Sequence, residues 1–153
     1  MLSYFIIFFI VVLDQFSKHL VLTRLVGRGT YPLIDGVFHL TYVENTGAAF
    51  SIFTDMQLFL KIVTSIFIIF LFFLLIFHLR REKKFTWKAL SLSFVIGGAI
   101  GNLIDRFRFQ FVVDFFDFRL INFAVFNVAD SFIVVGSILL ILVLMKDPSD
   151  HLF

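Results

Sequence analysis

The sequence predicts a mostly α membrane protein, with four transmembrane helices and a small extracytoplasmic β-sheet or hairpin region on the outer membrane surface. Three observations carry that expectation. Hydrophobic residues make up 60% of the 153-residue chain and charged ones only 16%, with 25 phenylalanines, more apolar surface than a globule this small can bury. Four apolar runs are long enough to cross a bilayer, at about 4–24, 58–79, 87–106 and 126–145. The segments 25–57 and 107–125 differ from them, with glycine, proline and alternating aromatic or β-branched residues. By length, 1–153 is one membrane domain.

Composition also excludes several function classes. A net charge of +2 without a broad basic stripe argues against nucleic acid as a partner. The chain has no cysteine, which removes disulfides, thiolate nucleophiles and Cys-ligated metals. His19, His39, His78 and His151 are scattered, so neither a metal site nor a cofactor is expected.

The first span begins as an apolar run from Tyr4 to Leu13, without the basic flank and cleavage site of a signal peptide. It continues through Asp14-Gln15-Phe16-Ser17-Lys18. Asp14 and Lys18 are one turn apart, acid first, the favourable order for an ion pair. At about 1.5 Å per residue Asp14 lies deep in the bilayer, so the pair either orients the helix or forms a polar wall of a site.

Gly27, Gly29, Pro32 and Gly36 then punctuate the chain, and Val37 to Val43 reads as a strand. Glu44-Asn45-Thr46-Gly47 is a turn by composition, and Ala48 to Phe53 is the expected return strand of a hairpin. Phe38, Leu40 and Tyr42 share a face that suits the membrane surface.

Leu58 to Leu79 is an uninterrupted span, followed by the basic loop Arg80-Arg81-Glu82-Lys83-Lys84 and by Trp87 at interface level. The positive-inside rule makes that loop cytoplasmic, which puts both termini inside and the other two connections outside. The third span carries Gly97 and Gly101, spaced for close helix approach. Asn102, Asp105 and Arg106 follow on one face near its outer end. Asp105 is read as an interfacial cap beside Arg106, while Asn102 and Arg106 suit the holding of a substrate backbone.

Phe107-Arg108-Phe109-Gln110-Phe111 alternates strictly and reads as an outer strand ending at Asp114. If the strand persists, Asp114 and Asp117 point to opposite faces, and if it has turned helical they share one. Asp114 is read as the site residue and Asp117 as solvated or bonded within the loop. Asp130 lies about one turn inside the last span, and Asn127 one turn before it on the same face. A carboxylate at such a boundary is unfavourable unless paired, hydrated or used. Two of them, Asp114 and Asp130, point to acid–base chemistry at a membrane surface. Neither is assigned as the base.

Four blocks stand in order: Asp14 to Lys18, Asn45 to Phe50, Gly101 to Arg106, and Val112 to Phe115 with Phe126 to Ser131. Their order and spacing over nearly the whole chain closely resemble lipoprotein signal peptidase (signal peptidase II), a bacterial family of aspartic membrane peptidases. The resemblance implies that Asp114 and Asp130 match the catalytic pair. It further implies that Asp14, Lys18, Asn45, Gly47, Asn102, Arg106 and Asn127 line or support the site, and Asp105 is counted with them.

By the same resemblance, the substrates are prolipoprotein signal peptides carrying a diacylglyceryl-cysteine, cleaved just before that cysteine. The expected place is the bacterial cytoplasmic membrane, with the site near its outer face, membrane lipid around it and a monomeric enzyme. A small proton- or ion-coupled transporter using the intramembrane carboxylates is the competing class, and a non-enzymatic scaffold held by Gly97 and Gly101 a third. No inverted repeat favours the transporter.

Overall fold

The computed structural model describes residues 1–47, 56–82 and 84–146. It contains four helices long and apolar enough to cross a membrane: α1 Leu2–Arg24, α2 Gln57–Arg81, α3 Trp87–Phe109 and α4 Val128–Lys146. Each begins or ends within three residues of the run that the sequence picks out. At one end of the bundle sits an antiparallel sheet of three strands, β1 Thr30–Ile34, β2 Phe38–Asn45 and β3 Val112–Phe118, in the order β1-β2-β3.

Helix α3 is the centre. Of its apolar window 67% is buried, against 11% for α4, so α3 packs on protein while α4 faces mostly lipid. Its glycines explain how three helices can crowd it. A Cβ on Gly97 would lie 2.9 Å from the Ile10 side chain of α1, and one on Gly98 would lie 2.4 Å from the Ala129 carbonyl of α4. In lipid, where no hydrophobic force drives helices together, such close backbone approach supplies the packing. Leu71, Leu74 and Leu75 of α2 meet Leu92, Val95 and Ile96 of α3 in an apolar core toward the other end, with Ile7 of α1 completing it.

One sequence expectation is corrected. Residues 107–109 continue α3 instead of forming an outer strand. The helix stops at Gln110, whose φ of 67° is left-handed, and the strand starts only at Val112. Alternating Phe and Arg is as well served by a helix end at the interface: Lys61 of α2 lies 5.6 Å from the Phe107 ring centroid, and Arg108 stacks over Phe109. The described hairpin partner of β2 is the upstream β1, joined through a turn in which Gly36 has a φ of 69°. The return strand expected at 48–53 lies outside the described residues.

β2 pairs with β3 in a register that shifts between Leu40 and Val43, where β2 has one residue more than β3. Such a bulge re-aims the strand beyond it. Val43 then faces Asp114 and Asn45 faces Val112.

Candidate active site

The start of α4 is built as a reciprocal cap. The Asn127 side chain accepts from the Asp130 amide at 2.9 Å, and the Asp130 carboxylate accepts from the Asn127 amide at 3.2 Å. That satisfies two amides the helix itself leaves open and points the Asp130 carboxyl back over the helix end. Asp14 of α1 takes a third, the Ala129 amide, at 2.9 Å. Gly101 makes room for it, since a Cβ there would lie 2.5 Å from Asp14 Oδ2.

Asp114 projects from β3 into the bundle and is 2% exposed. Its Oδ2 accepts from Asn45 at 2.9 Å and its Oδ1 from Asn127 at 2.7 Å. Asp130 Oδ1 accepts from Asn102 at 2.7 Å. Asn102 and Asn127 are themselves joined at 3.1 Å, so an amide bridge connects the two carboxyls. Both carboxyls border one cavity of about 620 Å³.

Burial, and then the charge of Asp130, push the Asp114 carboxyl up to about 7. Neutral amides are its hydrogen-bond donors, which leaves it able to hold a proton near neutral pH. Asp117, three residues on, accepts from the Thr41 hydroxyl at 2.6 Å and from Arg119 at 3.0 Å. Partial burial pushes it up, but the Thr41 hydroxyl and Arg119 together hold it below the usual carboxylate range.

The remaining site residues of the sequence reading fall into two groups. Asn45, Asn102 and Arg106 border the cavity with the two carboxyls. Arg106 donates to the Gly47 carbonyl at 3.0 Å, and its buried Nε has no hydrogen-bond partner among the described residues. Gly47 takes part through its backbone, its amide also donating to Asn45 Oδ1 at 3.0 Å. Asn102 has little left for a substrate backbone, because its oxygen already serves Lys18 and Asn127 and its nitrogen serves Asp130.

Asp14, Lys18 and Asp105 form the second group, behind the cavity. Lys18 bridges Asp14 at 2.9 Å and Asp105 at 3.0 Å, all three nearly inaccessible. Asp105 is thus no interfacial cap. Its carboxylate instead accepts from the Val113 amide at 3.1 Å, one residue before Asp114.

Gln15 is the residue to which sequence reasoning gave no role. It donates to Asp105 at 2.9 Å and to Asp14 at 3.3 Å, and accepts from Arg108. A side-chain amide beside Asp14 inside an apolar run is the available signal.

The cavity walls are mostly apolar and come from α2 (Thr64, Phe67), α4 (Ile133, Val134, Val135) and the loop 123–126. α2 and α4 both pack on α3, and the cavity lies in the gap between them. The site therefore combines an aspartate pair with an apolar channel at membrane depth. That can hydrolyse a peptide whose flank is a hydrophobic helix.

The comparisons with known proteins agree with this chemistry. Residues 6–146 match the family profile described as signal peptidase (SPase) II. The chain is 49% identical over 135 residues to the lipoprotein signal peptidase of Caldanaerobacter subterraneus subsp. tengcongensis, an alignment that covers 88% of this chain and 90% of that one. It is 46% identical over 140 residues to the lipoprotein signal peptidase of Clostridioides difficile, covering 92% of each. A solved structure described as a bacterial membrane enzyme superposes with a TM-score of 0.82 at 31% identity, covering 97% of this chain and 90% of the other.

Proposed function

The chain belongs to the signal peptidase II family, aspartic peptidases that remove signal peptides from prolipoproteins, and on that premise we propose that Asp114 and Asp130 are its catalytic pair. The observation that carries this reading is that both carboxyls border one cavity and are bridged by the Asn102–Asn127 amides. The family match leaves the transporter reading without support.

Two carboxyls in close contact share one proton, because both cannot ionise at once. The ionised member takes a proton from water, which attacks the scissile carbonyl. The protonated member gives its proton to the carbonyl oxygen. Collapse of the tetrahedral intermediate then delivers a proton to the leaving amine and breaks the C–N bond. The shift of Asp114 toward 7 supports a pair that holds one proton at neutral pH. Arg106 borders the cavity, its Nε has no partner among the described residues, and its guanidinium would bind a substrate carbonyl beside the scissile bond.

The substrate is a prolipoprotein signal peptide with a diacylglyceryl-cysteine, cut just before that cysteine. Its hydrophobic helix lies in the gap between α2 and α4, against Phe67 and Val134, and its acyl chains remain in lipid. Arg80, Arg81, Lys83 and Lys84 make the α2–α3 loop cytoplasmic, so both termini are cytoplasmic and the sheet and site face outward in the bacterial cytoplasmic membrane. One chain supplies both aspartates and the residues around them, and the enzyme is proposed to act as a monomer.

The test is cleavage of a diacylglyceryl-modified prolipoprotein by wild type, Asp114→Asn and Asp130→Asn, each checked for correct folding. Loss of activity by about a hundredfold or more in each variant is expected. Full activity in either would remove that aspartate from the pair.

A further inference from the structure

Lys18 is 2% exposed, and its ammonium makes three contacts, which uses every donor it has. They run to Asp14 Oδ2 at 2.9 Å, Asp105 Oδ2 at 3.0 Å and Asn102 Oδ1 at 2.9 Å. Each acceptor then reaches one step further. Asp14 holds the amide of Ala129, the residue before Asp130, at 2.9 Å. Asp105 holds the amide of Val113, the residue before Asp114, at 3.1 Å. Asn102 donates to Asp130 itself at 2.7 Å. One cation on α1 therefore ties together the two elements that carry the carboxyls, β3 and α4.

Burying one ammonium and two carboxylates is costly, and apolar residues of similar volume commonly hold helices together as well. Stability alone is a weak reason for the cluster. The placement of its second bonds, two of them one residue ahead of Asp130 and Asp114 and the third on Asp130 itself, is a better one. Gln15 keeps the arms from swinging, since its Nε2 donates to Asp105 Oδ1 at 2.9 Å and to Asp14 Oδ2 at 3.3 Å.

We propose that Lys18 is a positioning residue for peptide hydrolysis, its ammonium setting the separation and orientation of the Asp114 and Asp130 carboxyls through Asp14, Asp105 and Asn102. This rests on the dyad reading above. Lys18 is not among the described residues that line the cavity, so it acts behind the site. Its effect is on kcat, through geometry present before substrate arrives. Two carboxyls sharing a proton also repel more strongly the closer they stand. The gap between the acid and alkaline limbs of the pH–rate profile therefore reports their separation.

Lys18→Met alone would leave two buried carboxylates unpaired and risk the fold. The informative variant is the neutral set Asp14→Asn, Lys18→Met and Asp105→Asn together, reconstituted in lipid and given a diacylglyceryl-modified prolipoprotein. It should unfold near the wild-type temperature, keep KM within about threefold, lose kcat about a hundredfold as for a displacement of about 1 Å, and show a narrower pH–rate bell. Wild-type kcat, or a bell as wide as wild type's or wider, would overturn the proposal.

Asp105→Asn alone carries the same test if the neutral set does not fold. It keeps an oxygen for the Val113 amide but weakens one arm. A loss of about tenfold in kcat with a narrowed bell supports the proposal, and an unchanged bell overturns it. Asp114→Asn and Asp130→Asn run alongside. If either retains full cleavage, the dyad reading itself has failed, a result distinct from an intact dyad indifferent to Lys18.

Discussion

Strand β3 carries two aspartates three residues apart, and its two faces treat them in opposite ways. Odd spacing sends Asp114 into the bundle and Asp117 to the other side of the sheet. Asp114 is nearly inaccessible, takes its hydrogen bonds among the described residues from the amides of Asn45 and Asn127, and is pushed up to about 7 by burial and then by Asp130. Asp117 meets a hydroxyl and a guanidinium and is held low. The residue type is the same. What differs is first burial and then the neighbouring charge. Asp114 is buried beside a second carboxyl, while Asp117 is less buried and meets a hydroxyl and a guanidinium. This decides whether a carboxyl can hold a proton for chemistry or serves only as an anchor.

The sharpest way to break this comparison is to neutralise each aspartate in turn. Asp114→Asn should lower kcat for prolipoprotein cleavage by about a thousandfold, while Asp117→Asn should stay within about twofold in the same assay. Equal losses would mean that the two faces are not chemically distinct.

A pH series sharpens it further. Activity should decline as pH rises through about 7, where the pair loses its shared proton. Stability carries the same sign. Between the ordinary carboxyl value of about 3.9 and the folded value near 7, native Asp114 binds more protons than the unfolded chain, so its contribution is complete below that window and is lost as pH rises. The unfolding temperature should drop across the window in wild type and drop less in Asp114→Asn. Asp117 has the reverse sign, and its contribution disappears as pH falls toward acid.

A smaller effect is expected from Gly101→Ala, whose new Cβ would push Asp14 off the Ala129 amide. Overpacking of this kind costs about 1–3 kcal/mol, and a thermal melt together with kcat would register it on the inner face alone. The smallest belongs to the outer face. Asp117→Asn breaks a partly exposed pair with Arg119 and should change unfolding stability by less than about 1 kcal/mol.

The inner site was legible where its logic is local. Asp14 and Lys18 announce themselves as an i,i+4 pair, and they do meet at 2.9 Å. Asp114 and Asp130 were marked by their position at the boundary of an apolar run, and both border the cavity. Asp105 was read as a cap beside its neighbour Arg106, although its partners are Lys18, Gln15 and the Val113 amide. Two of those partners are on another helix, and no spacing along the chain encodes them.

Strand β1 was missed because Pro32 sits in its middle. An edge strand can tolerate that proline, and an edge is where β1 lies. The run 107–111 was misread because alternating Phe and Arg satisfies the interface equally well as a helix end.

The sequence by itself determined the solvent and the count: lipid, four spans, and a short set of polar residues stranded where lipid penalises them. Those are properties of composition and local spacing, which a single chain displays without folding. The tertiary structure decided which strand pairs with which, that the α3 glycines bring α1 and α4 within backbone reach, and that one lysine on α1 touches the supports of both Asp114 and Asp130. Each depends on distances between remote segments, and only packing in three dimensions sets them.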